Sequence, residues 1–170
     1  NMSTTGELDL EELRAVIKHD DFHFARSRLI SLENTHGGRP LPSGYCDAAR
    51  ELCDDCGLAL HLDGARLFNA AIAIGESAEN IAKHFYTVSI CLSKGLGAPI
   101  GSVLVGPEQF IREARRWRKV LGGGMRQVGM CVRACGMSHM GHGPWAMGPW
   151  AHGPMAHGPM AHGPWAMGHG

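Results

Sequence analysis

Apolar residues at Leu10, Leu13, Val16 and Ile17 follow the three- and four-residue spacing of one helical face, with Asp9 and Glu12 set as an N-terminal capping pair. The run RLISLEN, residues 28–34, then predicts a short buried strand. Tyr45, Ala48, Ala49, Leu52, Cys53 and Cys56 form a second helical stripe, which Gly57 ends from the left-handed cap position. LALHL (58–62) reads as a strand that stops at Asp63, and RLFNAAIAI (66–74) as a helix that stops at Gly75. Ser77 caps a short helix through Phe85. TVSICL (87–92) and IGSVLV (100–105) are two further strands. Pro107 opens a basic amphipathic helix in which Phe110, Ile111, Ala114 and Trp117 are expected to face the core. Strands alternating with helices predict an α/β fold with a mainly parallel sheet covered on both faces. In such sheets ligands collect at the carboxyl ends of the strands, where Asp63 and Lys94 both stand.

The pattern breaks after Arg133, the last charged residue. Beyond it runs a pentad repeat, G-P-[WM]-A-[HM], starting at Gly143. Proline and glycine at fixed spacing oppose both helix and sheet, and no run of apolar residues is long enough to offset the entropy of ordering. The expected division is therefore a folded region, 1–130, and a low-complexity tail, 131–170, disordered or polyproline-like. The tail holds His139, His142, His152, His157, His162 and His169, a composition open to weak metal binding or to no function at all.

Lysine plus arginine and aspartate plus glutamate both total 16, so no net field favours nucleic acid or an anionic membrane surface. No apolar run approaches the roughly 20 residues of a spanning helix, and the expectation is a cytoplasmic protein. The six cysteines are scattered through helix and strand patterns, unlike a secreted disulfide framework. CDDC (53–56) could be a redox or half-zinc motif, but it lies within a helical stripe with no second CxxC in the folded region, and no metal site is expected.

Two positions carry chemistry. Asp63 in HLDGAR, alone, is most simply a cap for the following helix, and Lys94 in SICLSKGLGAPIGS, alone, a loop lysine. Together they match what pyridoxal phosphate needs: an amine for its aldehyde and an acid for its ring nitrogen on the opposite side. Arg66 adds a planar fork suited to a substrate carboxylate. Glu33, Asn34 and His36 sit at a strand end and could line the same pocket.

HLDGARLFNAA, SICLSKGLGAPIGSVLVG and RRWRKVLGGGMRQ resemble the low-specificity L-threonine aldolases of the fold-type I pyridoxal-phosphate enzymes, and LISLENTHGG followed by LP matches the stretch before them. The resemblance spans residues 15–130, with the motifs in the family's order. It implies a partial fold-type I large domain, pyridoxal 5'-phosphate as cofactor, and cleavage of L-threonine or L-allo-threonine to glycine and acetaldehyde. It further implies that Lys94 holds the cofactor, Asp63 pairs with its ring nitrogen, and Arg66 binds the substrate carboxylate. His23, in HFARS, would lie near the substrate hydroxyl. Lys119 and Arg126 would lie near the cofactor at a subunit boundary of a homo-oligomer, a dimer or tetramer. A β-eliminating reaction of the same fold type would use the same Asp63 and Lys94, and a non-catalytic homologue is the remaining alternative.

In the family, the cup for the cofactor phosphate and the histidine that stacks on the ring lie ahead of residue 1. After Gln127 the family continues into an alanine-rich helix and a small domain with another carboxylate-binding arginine, where this sequence has CVRACGMSHMGHGPW and the repeat. The expectation is a truncated large domain with an unrelated tail. Taken alone, such a chain would be poorly soluble because of an exposed apolar sheet face, and not a competent aldolase.

Overall fold

The computed structural model describes residues 2–129 and the backbone of the two-residue strand Ala166–Met167. The disorder expected for the rest of the tail concerns residues outside the described ones. Helix α1, Leu10–Val16, starts where expected: Asp9 Oδ1 accepts from the Glu11 and Glu12 amides at 2.9 and 3.0 Å. Leu10, Leu13 and Ile17 pack on the core, but Val16 is exposed. At 100° per residue it sits roughly a quarter turn from the mean direction of the other three, beyond the reach of the layer below.

The remaining elements are β1 (Leu29–Glu33), α2 (Tyr45–Cys56), β2 (Ala59–Asp63), α3 (Leu67–Ile74), α4 (Ala78–Ala82), β3 (Thr87–Cys91), β4 (Ser102–Gly106), α5 (Glu108–Val120) and β5 (Ala166–Met167). Gly57 and Gly75 end α2 and α3 in the left-handed conformation, at φ 64° and 72°. Ser77 Oγ caps α4 by accepting from the Asn80 amide at 3.0 Å.

The strands lie side by side in chain order. β1, β2 and β3 are parallel, joined by helical crossovers, whereas β4 runs antiparallel to β3 and β5 antiparallel to β4. The reversal at β4 follows from its connection. A parallel return needs a crossover of about a dozen residues or more, usually helical, and residues 92–101 form only a turn-rich loop.

Both crossovers step the same way along the sheet, so their right-handedness puts α2 and α3 on one face. There Ile30, Leu32, Leu60, Leu62 and Val88 meet Ala49, Leu52 and Cys53 of α2 and Leu67 and Ala71 of α3, with Leu41, Ile81 and Phe85 closing the edges. Leu60 is 0 % exposed at the centre of this layer. Leu60→Ala is expected to cost about 2–5 kcal/mol in denaturant unfolding, the range for emptying a packed leucine site. A cost below about 1 kcal/mol would mean that helices and sheet are not packed as described.

Cover on both faces is not what the described residues provide. The opposite face carries Leu29, Ser31 and Glu33, all exposed, beside half-buried His61 and exposed Asp63. It is also not the apolar face expected from the sequence, because most of its positions are polar. His61 Nδ1 lies 2.8 Å from Thr87 Oγ1 across the β2–β3 boundary. Helix α5 departs from expectation too. Ile111 is buried and Phe110 meets Tyr86 edge-on at 5.7 Å, but Trp117 is 64 % exposed. The five-residue β4 gives the first turns of α5 a surface to pack on, and the second half of the helix runs past it.

Candidate active site

Because β1, β2 and β3 are parallel, their carboxyl ends share one edge of the sheet. The register aligns Glu33 with Asp63, and Asp63 with Ser89. Main-chain bonding continues past the strands, from the Asn34 amide to Asp63 O at 2.9 Å and from the Gly64 amide to Ser89 O at 2.8 Å. The exit from β2 is therefore held tightly to β3. Gly64 is needed for that approach: a Cβ there would lie 3.0 Å from both Ser89 O and Val88 Cγ1.

Asp63 is not the helix cap that the sequence alone suggested, because Arg66 holds the N-cap position of α3 without a side-chain cap bond; instead Asp63 Oδ1 accepts from the Ala65 amide at 3.1 Å and shapes the turn that leads into α3. Among the described residues only one carboxylate oxygen is engaged, and the residue is exposed. A turn contact and a cofactor partner are thus compatible on the same side chain. Arg66 occupies the N-cap position of α3 with its side chain exposed, and its guanidinium makes no hydrogen bond or ion pair among the described residues.

Lys94 sits in the turn that follows β3, the strand adjacent to β2. Its carbonyl accepts from Gly97 at 2.9 Å, while Ala98 donates to Leu92 O and Leu92 to Gly101 O at the same distance. Leu96 and Ala98 are buried beneath the turn against Phe68, Ile90 and Leu92. The sequence suggested a lysine at a buried strand end. The structure buries only Leu96 and Ala98 of the turn and exposes the lysine, since the apolar anchors lie two and four residues further on.

The other sequence-named residues are distributed as follows. Glu33 and His36 stand at the same edge, one strand beyond Asp63, with His36 Nδ1 2.9 Å from Glu33 Oε2. Asn34 is buried and spends its side-chain oxygen on the Leu41 amide at 3.2 Å. His23 belongs to the connection between α1 and the amino end of β1, exposed and paired with Asp21 at 2.9 Å, and the described contacts do not join it to Asp63 or Lys94. Lys119 and Arg126 are exposed at and beyond the end of α5. The CDDC cysteines are helix residues: Cys53 is buried, with its thiol pushed up by desolvation, and Cys56 accepts from Arg14 Nη1 at 3.8 Å. Phe68, within HLDGARLFNAA, packs beneath the Lys94 turn, a contact that no local pattern in the sequence announces.

The β-eliminating lyase family profile matches residues 1–152, and the chain belongs to that family. A low-specificity L-threonine aldolase of Escherichia coli strain K12 is 51% identical over 129 residues, 76% of this chain and 39% of that protein. Low-specificity L-threonine aldolase 1 of Arabidopsis thaliana is 48% identical over 134 residues, 76% of this chain and 37% of its own. The chain thus spans about two-fifths of the length of the curated relatives it matches. Among solved structures, a Listeria monocytogenes protein described as an L-allo-threonine aldolase superposes with a TM-score of 0.65 at 28% identity, covering 79% of this chain and 37% of that one. The Leishmania major threonine aldolase shares the fold, with a TM-score of 0.69 at 21% identity, over 79% of this chain and 41% of its own. No helix among the described residues is long and apolar enough to cross a membrane.

Proposed function

We propose that these residues form the lysine- and acid-bearing part of a pyridoxal-phosphate site in a carbon–carbon lyase that cleaves L-threonine or L-allo-threonine to glycine and acetaldehyde. The observation that carries this is the exit of Asp63 and Lys94 from adjacent parallel strands at one edge of the sheet. The donor set fits the cofactor. Among the described residues, an amine without a partner, a carboxylate with one oxygen unengaged and an unpaired guanidinium stand on turns whose close approaches are made by glycine.

When bound, the cofactor supplies an electron sink for the pair left at Cα when the Cα–Cβ bond breaks. Lys94 would hold its aldehyde carbon through Nζ and yield that position to the substrate amine. Asp63 would keep a proton on the ring nitrogen through its unengaged oxygen. Arg66 would take the substrate carboxylate in a bidentate grip and so fix which bonds at Cα face the ring. His23 enters as the group near the β-hydroxyl only through the family resemblance, as do Lys119 and Arg126 at a subunit boundary of a homo-oligomer. Cytoplasmic location is likewise part of this reading.

The test uses a chimera in which the 129 matched residues replace the corresponding stretch of the Escherichia coli relative. With L-threonine it should release glycine and acetaldehyde. The family profile favours β-elimination as the second reading, and that would give a 2-oxo acid and ammonia instead. In the same chimera Arg66→Ala should raise the KM for threonine about 10- to 100-fold, the equivalent of losing one charge-assisted contact. Weaker cofactor binding with unchanged threonine kinetics would contradict that role.

A further inference from the structure

The turn that carries Lys94 is seated on α3, and α3 begins at the residues that carry Asp63 and Arg66. A Cβ built on Gly95 would overlap Asn69 Oδ1 and come within 3.0 Å of its Cγ, so the Asn69 side chain lies directly against the backbone next to Lys94. One position earlier, Phe68 packs under the same turn against Leu96 and Ala98. On the other side, the Leu67 amide donates to Gly64 O at 2.9 Å and the Ala65 amide to Asp63 Oδ1 at 3.1 Å. The path from Asp63 through the first turn of α3 to Lys94 is therefore a continuous series of contacts, with no flexible link between them. Phe68 is ordinary apolar packing. Asn69 is different: it is exposed, its side chain makes no hydrogen bond among the described residues, and asparagine is a poor helix former. Neither burial nor helix stability accounts for it, and its contact with Gly95 does.

Resting on the reading of Lys94 as the cofactor's lysine, we propose that Asn69 is a positioning residue. Its side chain seats the 93–97 turn against α3 and so sets the span between Lys94 and Asp63. Glycine at 95 is the matching half of this contact, since a Cβ there would meet the Asn69 side-chain amide and displace it from its seat.

Amide hydrogen exchange on the full chain tests this without cofactor. Asn69→Ala improves helix propensity, so α3 itself should be undisturbed. Exchange in residues 92–98, where the Gly97 and Ala98 amides close the turn, should rise at least about threefold while α2 and β2 keep their protection. Asn69→Asp, which keeps an oxygen at the Oδ1 position, should restore it. Unchanged exchange at 92–98, a rise of equal size throughout the chain, or failure of the aspartate to restore protection would overturn the proposal. In parallel, pyridoxal phosphate and borohydride should modify Lys94 less in Asn69→Ala than in the unsubstituted chain, relative to Lys83 and Lys119. An unlabelled Lys94 in the unsubstituted chain would refute the cofactor reading, whereas the exchange result judges the Asn69 contact independently.

Discussion

Asp63→Asn in the chimera is expected to leave pyridoxal phosphate attached at Lys94 and to lower threonine cleavage at least about 100-fold, some 2.7 kcal/mol of barrier. The side chain has two separable duties. The turn before α3 needs an oxygen to accept from the Ala65 amide, and asparagine supplies one, so that turn should survive. The cofactor needs a negative charge opposite its ring nitrogen, and the amide has none. Asp63 is the group that would hold a proton on the ring nitrogen, and without its charge the cofactor would be a weaker electron sink. Thermal stability close to that of the parent together with collapsed turnover is the expected signature. Parental turnover would leave Asp63 as a turn residue and nothing more.

Lys94→Ala should have the larger effect, at least about 1,000-fold on turnover, or roughly 4 kcal/mol. Lys94 is exposed and its side chain makes no hydrogen bond or ion pair among the described residues, so its removal costs the fold little. Its turn is held instead by Leu96, Ala98 and three main-chain bonds, all of which remain. Loss of turnover at unchanged stability would thus be a chemical effect. An alanine variant with more than about a tenth of parental turnover would move the covalent role elsewhere.

Much of this arrangement is legible in the sequence. Asp9, Gly57, Gly75 and Ser77 announce helix ends through local backbone chemistry, and local chemistry does not depend on the rest of the fold. Strands β1 to β4 follow from short apolar runs, and the parallel order of β2 and β3 sends Asp63 and the turn bearing Lys94 out at the same edge of the sheet. The reversal of β4 is implicit in the length of the 92–101 link. What escapes the sequence is set by neighbours distant in the chain. Trp117 lies on an apolar stripe, yet whether that stripe is covered depends on how far β4 extends. The polar character of the uncovered sheet face appears only when Ser31, Glu33, His61 and Asp63 are aligned by register. Asn69 carries no local signal at all, because its partner, Gly95, comes from another element.

The central claim is that Lys94 is the amine for which this edge of the sheet is built. The most direct measurement incubates the chain with pyridoxal phosphate, reduces it with borohydride and maps the pyridoxyl-modified peptides. The account predicts modification concentrated on Lys94, lost when the chain is unfolded before labelling and absent from Lys94→Ala. Modification led by Lys83 or Lys119, or spread evenly over the lysines of folded and unfolded chain alike, would contradict it.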